Sequence, residues 1–271
     1  MPVVPSHAPR TYRMPTPFAP ALFQQLLTTE DVGRFLLYRV STETTMTIAR
    51  READDGAPHG TLVLAEEQTA GRGRRGRTFA SPSGENLYFT LVLRVPLEVH
   101  ARLPVILPVA ICSAVRHEGI DARIKWPNDI WVGQRKLSGL LIDAELRPGG
   151  PLAMPGIGIN VNGDPTSIPE LATSATSVRR ELGYTVVREA LLARICNELE
   201  RLLAEPPETT LAHYTELSMI LGRDVVVTPA NGEPFTATAE AIAPDGSLVV
   251  VRPNGTRETL TAADVSLRPA G

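Results

Sequence analysis

The stretch TLVLAEEQTAGRGRRGRTFASPSGENLYFTLVLRV, residues 61–95, decides the fold, because it sets a Gly/Arg-rich loop between two strand patterns. Thr61–Ala65 reads as a buried strand and Leu87–Val95 as a second, stronger one. Between them, Gly71–Arg77 (GRGRRGR) matches G-x-G-x-x-G letter for letter. A dinucleotide-binding fingerprint needs a helix directly after that loop, since the pyrophosphate rests on the helix N-terminus. Here Thr78–Asn86 is a loop and a strand follows, so the context excludes that reading. A Walker-type phosphate loop is excluded for want of Gly-Lys-Ser/Thr. Three readings stay open: a solvated surface loop, an Arg/Gly nucleic-acid tract, and an anion clamp. In a clamp, glycines let backbone approach a ligand closely while arginines offer bidentate donors to phosphate or carboxylate. The self-repelling arginines predict a loop that orders when an anion neutralises it.

Outward from this centre the elements alternate. Ala21–Leu27 suits a short helix, Phe35–Val40 a strand, and a Thr-rich stretch leads into a helix near Ile48–Ala53. Leu103–His117 has helical periodicity, with Pro104 near its start and an interruption expected at Pro108. Arg123–Lys125, Ile130–Val132, Leu137–Asp143 and Pro155–Val161 read as strands, and Val187–Ala204 as the clearest helix, its leucines spaced for one face. From Gly222 the pattern turns to β: Asp224–Thr228, Phe235–Ile242, Ser247–Arg252 and Thr256–Leu260, separated by Asn231-Gly232, Asp245-Gly246 and Asn254-Gly255. Such dipeptides are hairpin signals. The expected organisation is a Pro-rich tail over 1–33, loosely attached over its first 20 residues, a main α/β (α+β) domain over 34–219, and a small β-barrel over 220–271.

Composition narrows the function. At 43% hydrophobic and 21% charged, the 271 residues suit a globular enzyme. A net charge of −3 does not draw nucleic acid or anionic membrane. No apolar run reaches the ~20 residues of a membrane span, and Pro-rich, polar residues stand where a signal peptide would need an apolar core. Cys112 and Cys196 read as small buried hydrophobes in helices, which fits a reducing cytoplasm. Of the 27 basic residues only Lys125 and Lys136 are lysine. In a chain that otherwise uses arginine throughout, the two lysines mark sites where a compact ammonium serves and a planar guanidinium does not.

Both lysines lie in short motifs. Lys125-Trp-Pro-Asn-Asp129 joins a cation, an aromatic, a rigid turn, an amide and a carboxylate, and Pro127 keeps Trp126 out of helical backbone. Lys136-Leu-Ser-Gly139 follows, then Gly156-Ile-Gly-Ile-Asn-Val-Asn162. Taken singly, Trp126 reads equally as a core anchor, Asp129 as a turn former and Gly139 as a strand bulge. In this order, together with Gln68 and GRGRRGR, the motifs resemble those of biotin–protein ligases (biotin–acetyl-CoA-carboxylase ligases), over roughly residues 35–165. The β-rich end resembles that family's small terminal domain.

The resemblance implies a mixed-sheet catalytic domain with an SH3-like C-terminal β-barrel. It also implies ATP, biotin and Mg²⁺ as ligands, and transfer of biotin through biotinyl-5′-AMP to one lysine of a biotin carboxyl carrier domain. Gln68, Arg72, Gly73 and Arg74 then line the biotin and adenylate site, with Arg74 capping the mixed anhydride. Lys136 reaches the biotin carboxylate and α-phosphate. Lys125, Trp126 and Asn128 lie at the nucleotide or its Mg²⁺, with Asn160 touching the nucleotide and no metal held by protein alone. Asp129 either helps deprotonate the incoming lysine or forms the turn. Gly139 and Gly158 leave room for ligand. The family's Ser-Thr-Asn turn falls on Thr44-Thr45-Met46 in preference to Ser41-Thr42-Glu43, and Met46 there replaces an amide donor at the biotin head. About 33 Pro-rich residues ahead of the catalytic region are too few for the DNA-binding domain of repressor-type members, so a repressor role is not expected; neither nucleic acid nor membrane is an expected partner. The expected assembly is a monomer or homodimer in the cytoplasm. A lipoate–protein ligase is the nearest enzyme alternative, and an RNA-binding module the non-enzyme one.

Overall fold

The computed structural model describes residues 16–73, 76, 79–229, 232–261 and 263–267. The chain begins with α1 (Pro20–Leu26), β1 (Leu36–Thr42), α2 (Thr45–Asp54), β2 (Thr61–Gln68) and β3 (Leu87–Val92). After α3 (Leu97–His100) and α4 (Leu103–His117) come β4 (Ala122–Lys125), β5 (Asp129–Val132), β6 (Arg135–Arg147) and β7 (Gly150–Ile159). Helices α5 (Val178–Leu182), α6 (Arg188–Leu203) and α7 (Pro207–Leu217) close the main unit.

Seven strands form one mixed sheet in the order β1-β2-β3-β7-β6-β5-β4. Only β1 and β2 run parallel, joined through α2 by the crossover that a parallel pair requires. Every other pairing is antiparallel. Both faces of the centre are covered, which explains why TLVLA shows no alternation of polar and apolar residues. Leu62 and Leu64 enter the large core with α4 and α6, whereas Val63 packs with Ala49 and Ala53 of α2 on the other face.

Two expectations change. Pro108 does not interrupt α4, which runs unbroken through it. An interior proline costs about 3 kcal/mol, but Val105, Ile106, Leu107, Val109 and Ile111 are all buried around it, and each contributes about 1.5–3 kcal/mol. Nor are residues 16–20 loosely attached. Phe18, Phe23, Leu27 and Val32 are core residues, so the packed unit starts no later than Thr16; residues 1–15 lie outside the described residues. The six early prolines dominated the sequence signal and hid two aromatic anchors.

Residues 220–267 add β8 (Asp224–Pro229), β9 (Phe235–Ile242), β10 (Leu248–Val251), β11 (Arg257–Leu260) and β12 (Ala263–Leu267). They form an antiparallel sheet in the order β11-β10-β9-β8-β12. Among the described residues no pairing joins its edges β11 and β12, so no closed barrel is seen among them. Gly246 and Gly255 take the positive φ (+84° each) that their hairpin turns demand; Asn231, of the third hairpin signal, lies outside the described residues. No described helix is long and apolar enough to cross a membrane.

Candidate active site

Strand register builds the site. Lys125 pairs with Asp129, Asp129 with Gly139, Gly139 with Gly158, and Gly158 with Tyr88, one row across five strands. The next row is Leu141, Gly156 and Thr90. Residues in such a row share a sheet face. Three glycines therefore leave a strip of bare backbone on the α2 side of the sheet. Around it lies a cleft of about 170 Å³, open to solvent and lined by Thr44, Thr45, Met46, Gln68, Arg72, Gly73, Phe79, Asn128, Asp129, Lys136, Gly139, Leu140, Leu141, Gly156, Ile157 and Gly158.

Each glycine faces a cleft side chain. A Cβ at Gly158 would stand 2.4 Å from the Phe79 ring, and one at Gly156 2.8 Å from the Met46 sulfur. A Cβ at Gly139 would meet Lys136 Nζ at 2.7 Å. Lys136 and Gly139, three residues apart, would face opposite ways in a regular strand. A bulge shifts the β5–β6 register, so that Trp131 pairs with Lys136 while Asp129 pairs with Gly139. The extra residue turns both toward Asp129. Lys136 Nζ then donates to Asp129 Oδ1 at 2.7 Å. Its backbone is fixed as well: Lys136 N donates to Ser174 O and Thr176 N to Lys136 O, both at 2.9 Å.

The opposite wall begins at α2. Thr44 caps the helix, its Oγ1 accepting from Met46 N. Gln68 Oε1 accepts from Thr45 N at 2.9 Å and Thr45 Oγ1 at 3.2 Å, and Gln68 Nε2 donates to Ser81 Oγ at 3.2 Å. Thr45 Oγ1 also shares a 2.8 Å hydrogen bond with Thr90 Oγ1. These partners fix which way the Gln68 amide points.

The cleft thus gathers Thr44, Thr45, Met46, Gln68, Arg72, Gly73, Asn128, Asp129, Lys136, Gly139 and Gly158 from the sequence reading. Lys125, Trp126 and Asn160 stand outside that lining. Arg74 lies outside the described residues. Lys125 stands on the strand beyond Asp129, its Nζ 3.8 Å from the Trp131 ring centroid. Trp126 is a core residue, 2% exposed, and its Nε1 donates to Gly246 O in the C-terminal sheet; it is not among the residues lining the cleft. Asn160 lies outside the lining too, donating through Nδ2 to Thr176 O at 3.0 Å. Asn128 lines the cleft, yet it is bound to β6: its side-chain amide donates to Leu140 O and its carbonyl accepts from Leu140 N. No cluster of three or more metal-ligating side chains occurs among the described residues. The sequence reading missed Phe79, Leu140, Leu141, Gly156 and Ile157 in the lining, and Ser81, Thr90 and Ser174–Thr176 behind it. Gly156 opens the quoted GIGINVN run, and Thr90 follows from alternation along β3. The 174–176 segment left no local signal.

Both cysteines are buried and outside any disulfide, and burial pushes the Cys112 thiol up to about 12, so it stays a protonated thiol.

Comparison with known proteins agrees with this architecture. Residues 37–162 match the Biotin/lipoate A/B protein ligase family, and residues 220–268 match the Biotin protein ligase C terminal domain. The chain is 36% identical over 174 residues to the bifunctional ligase/repressor BirA of Bacillus subtilis, covering 62% of this chain and 54% of that one. It therefore spans about half the length of that relative. It is 33% identical over 215 residues to the biotin--[acetyl-CoA-carboxylase] ligase of Paracoccus denitrificans, covering 75% of this chain and 88% of the relative. The biotin protein ligase from Aquifex aeolicus in complex with biotin and ATP superposes with a TM-score of 0.72 at 25% identity, covering 88% of this chain and all of that one. With the match in both of its parts and across most of a Paracoccus relative, the chain belongs to the biotin protein ligase family.

Proposed function

We propose that the protein activates biotin with ATP to biotinyl-5′-AMP and transfers the biotinyl group to one lysine of a biotin carboxyl carrier domain. The observation that carries this reading is the ammonium of Lys136, held at 2.7 Å by Asp129 beside the bare backbone of Gly139 and Gly158. In the first step a biotin carboxylate oxygen attacks the α-phosphorus and pyrophosphate leaves. In the second, the neutral carrier amine attacks the anhydride carbonyl, the C–O bond to AMP breaks, and the nitrogen loses a proton. Negative charge builds on phosphate and then carbonyl oxygens, and a fixed ammonium stabilises both without reorganising. Alignment of the two substrates supplies much of the rest.

In this reading Thr44, Thr45 and Gln68 meet the biotin head, and Phe79, Met46 and Ile157 give its apolar body a wall. Arg72 and Gly73, with Arg74, contact the adenylate. Asp129 positions Lys136, and Lys125 adds positive potential one strand away. Mg²⁺ arrives with ATP as part of the substrate, held by phosphates and water as is usual for this ion. That suits a cleft whose carboxylate, Asp129, already serves Lys136. The partner is the carrier domain of a carboxylase, met in the cytoplasm by a monomer or homodimer.

The test is pyrophosphate exchange into ATP with biotin, with lipoate, and with neither. Exchange that depends on biotin is expected. Exchange only with lipoate would transfer the assignment to the lipoate branch, and none with either acid would remove it.

A further inference from the structure

We infer that Trp126 is a positioning residue through which the C-terminal sheet holds the Lys136–Asp129 pair in register. The inference rests on the reaction proposed above for its kinetic part and on geometry alone for its structural part.

The contact chain is continuous. The β9–β10 hairpin is closed by Gly246 N donating to Ala243 O and Ala243 N to Ser247 O, both at 2.8 Å. Gly246 sits at φ +84°, and a Cβ there would lie 2.7 Å from Cβ of Pro104 in the first turn of α4. The hairpin tip is therefore seated against the main domain with no room to slide. Its Gly246 carbonyl accepts the Trp126 indole N–H at 2.7 Å. The Trp126 ring is buried in the large core, so its position fixes the backbone that leaves β4. Two residues on, Asn128 is bound to Leu140 through both side chain and backbone. The next residue is Asp129, which grips Lys136. A shift at Gly246 thus reaches the ammonium through one ring and a three-residue turn.

A residue that only filled the core would be satisfied by any aromatic of similar volume. A positioning residue needs its N–H, because the carbonyl it meets belongs to a separate sheet. Trp126→Phe keeps most of the ring and deletes the donor, while Gly246→Ala displaces the acceptor.

The chain offers an unusual probe, since Lys125 and Lys136 are its only lysines. Protein labelled with ¹³Cε-lysine gives two side-chain signals, and Lys136→Arg assigns them. In Trp126→Phe and Gly246→Ala the Lys136 signal should move at least halfway to its position in Asp129→Asn, in folded protein. Biotin-dependent exchange should fall roughly tenfold in kcat, the scale set by small misalignments, with KM for biotin within about twofold. The double variant should lose no more than the worse single one. An unmoved Lys136 signal in folded Trp126→Phe overturns the inference, as does a change in KM alone or multiplicative losses in the double variant. Wild-type protein without biotin-dependent exchange would remove the proposed reaction, while the lysine spectra would still decide the coupling.

Discussion

Lys136 and Gly139 constrain each other, and that pairing shows what a single residue must do here. The space beside Gly139 holds the lysine stem and ammonium: an added Cβ would lie 2.9 Å from Cε and 2.7 Å from Nζ. A guanidinium is wider, planar and fixed in its donor directions. Lys136→Arg should therefore lose at least about 100-fold in kcat for biotin-dependent exchange, the scale of removing one charge-stabilising donor, although the net charge is unchanged. Gly139→Ala should lose about tenfold through displacement of the same ammonium. Near-normal turnover in Lys136→Arg would show that charge alone suffices. The scarcity of lysine made this residue legible in sequence. Trp126 was legible only as an aromatic beside proline, and nothing local told a core anchor from a ligand contact. Its partner carbonyl is 120 residues away, in a sheet whose docking no spacing rule predicts. Gly158 could be read as leaving room for a ligand, but Phe79, the ring that fills the space above it, comes from a loop with no periodicity to place it.

At the level of elements, the wall of the cleft depends on how α2 is tied to the sheet. The helix is amphipathic but short, and its start is held by Thr45, which joins Gln68 at the end of β2 to Thr90 in β3. Thr45 and Thr90 are both buried, so removing one hydroxyl leaves the other unsatisfied at a cost of about 1–3 kcal/mol. Thr45→Val keeps the shape of the side chain. It should lower the melting temperature by several degrees and raise KM for biotin more than it lowers kcat, because Gln68 loses a restraint while Lys136 does not. Equal KM in folded Thr45→Val, measured by exchange at varied biotin, would remove Thr45 from the binding wall. The strands and long helices were legible because periodicity and turn residues are local. The bulge that brings Lys136 and Gly139 to one face was not, since it depends on the partner strand's register. β12 escaped for a related reason: Ala263–Leu267 is short, and only its pairing with β8 defines it.

Across the whole molecule, one buried charge cluster joins the N-terminus to the sheet and to α6. Arg188 and Glu66, each 5% exposed at the side chain, form an ion pair with bonds at 2.8 and 3.2 Å. Glu66 also accepts from Phe18 N at 2.6 Å and Tyr38 Oη at 2.7 Å, and Arg188 donates to Thr16 O. Burial alone would push the Glu66 carboxyl up, but donors from Arg188, Phe18 and Tyr38 outweigh it and hold the carboxyl below its ordinary 4.5. Burial and the bond to Glu66 push the Tyr38 phenol up to about 12, so it remains a donor at neutral pH. A carboxyl whose value is lowered by folding contributes stability above its unfolded value, and that contribution is lost as pH falls through the folded value. The exposed Asp121 and half-buried Glu145 carboxylates shift the same way, but their pairs lie at the surface, are screened by solvent and contribute little. Removing Arg188 leaves a buried carboxylate without its counter-charge, a loss of about 3–5 kcal/mol, so Arg188→Met should unfold at markedly lower denaturant than wild type. In Glu66→Gln the carboxylate is absent, so its melting temperature should fall less steeply than wild type as pH drops from 5 toward 3. Because Phe18 and Thr16 are held by the same two side chains, protease cleavage ahead of α1 should quicken in both variants before global unfolding. Parallel melting curves for wild type and Glu66→Gln across that pH range would show that the cluster fixes the path of the N-terminal segment without contributing to acid stability.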